Sequence, residues 1–458
     1  MTTKLDKARI RKAVKEFYRY VMLSHRWEEY GEPLLQDVKN ISVYDLEASP
    51  ANTKLRGFCK LVGSLGIRWA WSDTCCVDKS DNVVLQESLV AMFTWYRGSS
   101  LTVVYLRGIS SESQLAGDLS RSIWNTRAWT YQEYVAAEII RFYTEDWKPY
   151  LGLALSNHKL SHAIVSEMQQ ATGVSAGEMD VLRPGLDRVR EKLYLASRRE
   201  TTLIEDIAYS LFGIFNVAIP VIYGEGNRAV GRLLEHILTG SGDVTLLAWT
   251  GSAGSYNSCL PVDLAVYNSL VPPHVPRHIE KDEMESIIRK LRSSVADLSL
   301  ATKLHNRINE LPLPSLAASR LRLPCILFPL IDVHFLEPEN PETALRVYRA
   351  TTLAFGDVEI KTEDELTDME GLSLVHPWIH PLLDQEFKFS RGAGSLDQTT
   401  QALRFVARLR QPFGALLFES LSRVEYRRVA PDSLIITRIR EEVSLTELIN
   451  GIRMIEVQ

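Results

Sequence analysis

The sequence predicts an α/β fold: a mostly parallel sheet with helices on both faces, then a helical segment, then a separate β-rich C-terminal domain. Three changes of texture carry this reading. From residue 18 to 154 short apolar runs alternate with stretches of helical period. Residues 155–243 show mainly helical stripes. From 244 to 458, Pro and Gly punctuate short alternating runs. At 458 residues the chain is too long for one ordinary core. The expected parts are therefore 1–17, 18–154, 155–243 and 244–458.

Each element has its own signal. Residues 4–17 (KLDKARIRKAVKEF) make a short basic amphipathic helix, a solvated arm with some capacity for a membrane surface. YVMLS at 20–24 is a buried strand. A helix near 53–65 carries Leu55, Phe58, Cys59, Val62 and Leu65 on one stripe, with Gly66 as its stop. IRWAWSD at 67–73 is the next strand. A helix over 85–97 turns Leu85, Leu89, Met92, Phe93 and Tyr96 inward. LTVVYL at 101–106 is a third strand, a helix starts in TRAWTYQEYVAA, and EIIRFY at 138–143 closes the run. Such alternation is the signature of a parallel sheet covered on both sides.

Further on, Thr202 with Glu205 reads as a capping box opening a helix that bears Ile207, Leu211 and Phe215. Residues 227–238 carry the stripe Val230, Leu233, Leu234 and Ile237. Beyond 244, the segments 344–355, 403–410, 415–419 and 433–440 read as antiparallel strands, with a helix inserted near 281–299. Residues 207–224 hold no charge, but Gly213, Asn216, Pro220 and Gly224 break them. That stretch is expected to be a buried helix-turn-strand and not a membrane span.

Composition narrows function. Lys and Arg number 52 against 57 Asp and Glu, a net charge of −5, so no basic footprint for nucleic acid is present. Five cysteines (Cys59, Cys75, Cys76, Cys259, Cys325) are few and irregularly spaced, which fits a reduced, cytoplasmic setting. The polar N-terminus lacks a secretory h-region. A P-loop and a G-x-S-x-G elbow are both missing, and Gly224, Gly226 and Gly231 miss the dinucleotide spacing. Cys75 and Cys76 are adjacent, poor geometry for zinc, and read as small buried thiols. His274 with His278, and His376 with His380, are interrupted or flanked by prolines. No metal site is expected.

What remains is polar and falls at the carboxyl ends of predicted strands, where open α/β sheets place their ligand crevice. Ser24, His25, Arg26 and Trp27 follow the first strand, and Asp73 and Thr74 the second. Arg127, Trp129, Gln132 and Glu133 follow the third across a loop. Each has a structural alternative: an Arg26–Asp73 ion pair, core packing for Trp27 and Trp129, a solvated carboxylate for Glu133. Helix geometry separates the two candidate acids. Glu133 lies four residues from Trp129 and shares its face, so a tryptophan packed on the sheet would bring the carboxylate with it. Glu87 sits about 200° around its helix from Leu85 and faces water. Glu133 is the catalytic candidate.

These clusters resemble the HET (heterokaryon incompatibility) domain, found in fungal proteins that trigger cell death on self/non-self recognition. VMLSHRW resembles its first motif; WSDTCCVDK with ESLVAMFTWY resembles its second; RAWTYQE at 127–133 resembles its third. The block at 205–229 is similar to a segment that often follows the domain. Glu28, Ala128 and Tyr134 depart from the family's usual glycine, glycine and leucine. More distantly, VMLSHRW and WTYQE are similar to two elements of TIR domains, whose NAD-cleaving members carry a glutamate where Glu133 stands.

Two functions follow as expectations. In the first, the resemblance implies hydrolysis of the nicotinamide–ribose bond of NAD or a related nucleotide, which needs no further cofactor. Glu133 would stabilise the ribosyl cation. Arg26 and Arg127 would receive the diphosphate, Trp27 or Trp129 would stack on a base, and Ser24, His25 and Asp73 would complete the substrate site. In the second, the domain is a non-catalytic death-signalling module that self-associates or binds a partner protein. Neither calls for nucleic acid or stable membrane insertion.

Overall fold

The computed structural model describes residues 7–173, 183–268, 281–294, 298–337, 345–353, 356–366, 369, 371–377, 398–439 and 443–458. They divide into two compact units, one of residues 1–185 and 198–223, the other of 186–197 and 224–458.

The first unit is built on four parallel strands: β1 (Tyr20–His25), β2 (Trp69–Trp71), β3 (Leu101–Leu106) and β4 (Ile140–Thr144). Their order across the sheet is β2-β1-β3-β4. The chain thus runs from β1 to one side, then crosses back to build on the other. The crevice of such a sheet opens at the carboxyl ends of β1 and β3, where this reversal occurs. The N-terminal basic helix spans Lys7–Phe17 and exposes its apolar residues Ile10, Val14 and Phe17.

Strand alternation sorts the two faces. Val21, Leu23, Val103 and Tyr105 share one face with Leu55, Phe58 and Val62 of the helix Pro50–Ser64. Burying each of these large side chains is worth roughly 1.5–3 kcal/mol. That helix stops as expected, Gly66 taking φ +68°, a conformation costly for residues with a Cβ. Val104, Leu106, Ile140 and Phe142 face the other way, against Trp124, Tyr134, Ile164 and Met168. The helix Asn82–Gly98 buries Leu89, Met92, Phe93 and Tyr96 and leaves Glu87 exposed, as predicted. The helix Ala128–Ala136 packs on β1 and on Asn82–Gly98.

Between 198 and 223 the structure departs from expectation. Two four-residue helices, Asp206–Tyr209 and Phe212–Phe215, replace one long helix. No capping box forms: the N-cap is Glu205, in helical conformation and without a side-chain cap. Asn216 ends the second helix in the left-handed region, and no strand follows before Tyr223. Among the described residues no helix is long and apolar enough to cross a membrane.

In the second unit the helix Arg228–Ser241 buries Val230, Leu233, Leu234 and Ile237, the stripe read from sequence. Among the described residues nine strands make one sheet: β5 (Ser315–Ala317), β6 (Arg320–Leu336), β7 (Arg346–Thr352), β8 (Gly356–Thr362), β9 (Leu372–Pro377), β10 (Phe413–Ser420), β11 (Glu425–Val429), β12 (Ile435–Ile439) and β13 (Ile452–Val457). Pairing runs β6-β7-β8-β12-β10-β9 and returns to β6, so the strands close on themselves. All pairs but β11–β13 are antiparallel. Helices Lys281–Ser294, Leu298–Asn309 and Gln398–Leu409 share one core with them. The last corrects the strand read at 403–410. Ala402, Phe405, Val406 and Leu409 are all buried at i, i+3, i+4 and i+7, a helical stripe that short-range alternation had disguised. His274, His278 and His380, weighed above as metal ligands, lie outside the described residues.

Candidate functional site

Ser24 and His25 end β1, and their alternation sends them to opposite faces at the same rim. Ser24 lies in register with Val104, on the face of the helix Ala128–Ala136; His25 lies in register with Tyr105, on the other. Two adjoining clusters result.

The first is centred on Glu133, which is only 5% exposed. Ser24 Oγ donates to Glu133 Oε2. Trp124 Nε1 donates in turn to Ser24 Oγ at 2.8 Å. The serine is thereby fixed with its one proton aimed at the carboxyl. The Tyr96 hydroxyl also adjoins Glu133, while donating to the Leu23 carbonyl at 2.9 Å. Burial pushes the Glu133 pKa up to about 8, reinforced by the charge of Asp73; the Ser24 hydrogen bond, the adjoining Tyr96 hydroxyl and the charge of Arg127 oppose the rise without cancelling it. At neutral pH the group is therefore mostly the neutral acid.

The second cluster is centred on Asp73. His25 Nε2 lies 3.1 Å from its Oδ1, and Trp27 Nε1 donates to its Oδ2 at 2.7 Å. Burial pushes the Asp73 carboxyl upward, but the His25 contact, the Lys79 charge and the Trp27 N–H outweigh it and hold it below the usual range. Lys79 Nζ stands 3.6 Å from the centre of the Trp27 ring. Thr74 is buried and bonds Ser72 at 2.9 Å. The two clusters are within electrostatic reach of each other, since Asp73 bears on both Glu133 and Tyr96.

Arg26 is half-buried and forms no ion pair with Asp73, whose carboxylate is met by His25 instead. The Arg26 carbonyl accepts from Lys54 Nζ at 3.2 Å. Lys54 also pairs with Glu32 and Glu28, and Glu28 pairs with Arg107 at 2.8 Å. Glu28 thus anchors the loop after β1. Trp129 is directed to Asp206. It is half-buried, and its indole N–H reaches Asp206 Oδ2 at 3.2 Å, while Tyr223 donates to Oδ1 at 2.9 Å. Glu133 is buried and bonded by Ser24. Gln132 is fully buried with its amide nitrogen 3.8 Å from Met92 Sδ and its oxygen unpaired.

Trp124, Tyr96 and Lys79 were not singled out as site residues from the sequence. Tyr96 and Lys79 lie inside the second motif, so the signal was present. Trp124 had one cue, a buried indole N–H that needs a partner.

The start of the Glu133 helix is held by residues 199–206. Arg199 donates to the Arg127 carbonyl at 2.9 Å and to Thr130 Oγ1 at 3.2 Å, and lies 5.1 Å from the Tyr131 ring centre. The Glu200 backbone pairs with Thr126 and Ala128. The Arg127 guanidinium lies 3.4 Å from Thr202 Oγ1. Replacing Arg199 with Met is expected to cost about 1–3 kcal/mol, seen as a lower urea midpoint at unchanged m-value. An unchanged midpoint would show that this contact does not hold the helix.

Among the described residues no group of three or more His, Cys, Asp or Glu side chains is placed to hold a metal ion.

Comparison with known proteins bears on part of this region, the family match ending before Trp124, Arg127 and Glu133. Residues 20–118 match the family described as Heterokaryon incompatibility protein (HET). The chain is also similar to the vegetative incompatibility protein HET-E-1 of Podospora anserina, 36% identical over 235 residues. That match covers 48% of this chain and 16% of the relative, so the chain spans about a sixth of the length of the curated protein it matches. No solved structure matches. Within the first unit, residues 20–118 are thus similar to a HET domain.

Proposed function

We propose that the HET domain of this chain hydrolyses the nicotinamide–ribose bond of NAD, and that this reaction serves vegetative incompatibility: cytoplasmic self/non-self recognition ending in cell death. The observation that carries the reading is Glu133, a buried carboxyl held by Ser24 beside the β1/β3 reversal of the sheet. A TIR-like arrangement is supported by the strand order β2-β1-β3-β4 and by the acid's place on the helix before β4.

The chemistry follows from charge. As the C1′–N bond breaks, its electron pair goes to the pyridinium nitrogen, leaving neutral nicotinamide and a cationic ribosyl carbon. Approach of the cationic ring favours loss of the Glu133 proton to solvent, and the resulting carboxylate stabilises the ribosyl cation in a site of low dielectric. Water adds to C1′ and gives its proton to the carboxylate. Ser24, fixed by Trp124, holds the carboxylate in place. Arg26 and Arg127 take the diphosphate, with His25, Asp73, Trp27 and Trp129 completing the surround. Since the free enzyme must ionise Glu133, kcat/KM is expected to rise with pH up to about 8. A flat profile between pH 6 and 8 would contradict this.

One observation favours a second reading, a non-catalytic signalling module that self-associates or binds a partner. A carboxyl neutral at pH 7 and bonded to Ser24 also serves as plain cement between strand and helix. The test is nicotinamide release from NAD by the concentrated full chain, beside Glu133→Gln and Glu133→Ala. Release lost in both variants supports the hydrolase. Release that is absent, or untouched by either substitution, leaves the module.

A further inference from the structure

Trp27, at the rim, has defined surroundings on both an edge and a face. Its indole N–H is fixed by Asp73 at 2.7 Å. One face is covered by the Lys79 ammonium, 3.6 Å from the ring centre. The residue nevertheless stays 41% exposed; with one face taken by Lys79, a stacking ligand must use the other. Lys79 Nζ is buried and has no hydrogen-bond partner. An ammonium carries three donors and is rarely left without an acceptor; here its interaction is with the π-cloud.

A cation over one face draws π density toward itself and leaves the far face electron-poor. Such a face stacks best on an electron-rich, neutral base and poorly on a cationic pyridinium ring. Trp129, the other tryptophan considered for stacking, has its N–H on Asp206 and no cation above its ring among the described contacts. We propose that Trp27, backed by Lys79, is the subsite for a neutral purine base, the adenine half of NAD, so that the cationic nicotinamide ring is left for Glu133. This rests on NAD as the substrate.

The test is calorimetric titration of the full chain with AMP and, separately, with nicotinamide mononucleotide. Trp27→Ala is expected to weaken AMP binding about tenfold, as loss of a base–aromatic stack does. Trp27→Phe retains part of it, and Lys79→Met costs about two- to fivefold. Glu133→Gln leaves AMP affinity unchanged, and nicotinamide mononucleotide is indifferent to Trp27→Ala and Lys79→Met. Absence of AMP binding, or AMP affinity unaltered by Trp27→Ala and Lys79→Met at unchanged thermal melting, overturns the subsite. AMP held through Trp27 by a chain that does not cleave NAD sinks the hydrolase alone. Glu133-dependent cleavage with the same KM for NAD in Trp27→Ala and Lys79→Met sinks the subsite alone.

Discussion

Glu133→Gln is expected to lower nicotinamide release from NAD by about 100- to 1000-fold, the usual cost of removing one preorganised charge stabiliser, while the protein stays folded. The amide matches the carboxyl in size, still accepts from Ser24 Oγ, and is neutral like the acid it replaces at pH 7. What it cannot do is ionise when a cation develops beside it. Loss should fall on kcat at least as much as on KM. Glu133→Ala should lose as much activity and also stability. It opens a cavity beside Ser24 and deprives that hydroxyl of its acceptor, a cost of about 2–4 kcal/mol. Equal activity in wild type and Glu133→Gln would remove the carboxylate from the chemistry.

The second large effect is on stability against pH. The Glu133 pKa is raised from 4.5 to about 8 in the folded chain, so between these values the native state holds a proton that the unfolded state has released. Stability from this group is fully present below about pH 4.5 and is lost as pH rises through 8. The swing is on the order of 4 kcal/mol. Other groups titrate as well, so the informative quantity is the difference between wild type and Glu133→Gln. The wild type should match or exceed the variant at pH 5 and fall clearly below it by pH 9. A difference that does not change with pH would mean that Glu133 is solvated.

Much of the first unit was legible because its signals are local. Leu55, Phe58 and Val62, or Leu89, Met92, Phe93 and Tyr96, recur at helical spacing on surfaces that are in fact buried. The parallel sheet followed from uninterrupted apolar strands such as LTVVYL, buried throughout. The misreadings arose where one segment fits two periods or where tertiary contacts decide. LRFVARLR alternates over a few residues, yet its longer stripe is helical and it folds as a helix. Thr202 has the spacing of a cap, but lies beside the Arg127 guanidinium instead.

The candidate site divides the same way. Residue types at strand ends pointed to Ser24, His25, Asp73 and Glu133, and these do converge on one rim. Which indole supports Glu133 was not legible. Trp124 and Trp129 are five residues apart, and only the path of the loop before the helix turns the first toward Ser24 and the second toward Asp206. Nor could spacing place Arg199 and Glu200, some seventy residues along the chain, against the start of the same helix.

The most direct test of the account is the protonation state of this one buried carboxyl, read as the infrared carbonyl stretch in a pH titration with Glu133→Gln as the reference. A protonated-acid band that is absent from the variant and disappears with a midpoint near 8 is the expected result. A Glu133 already ionised at pH 6 would contradict the buried, Ser24-bound acid on which the proposed chemistry depends.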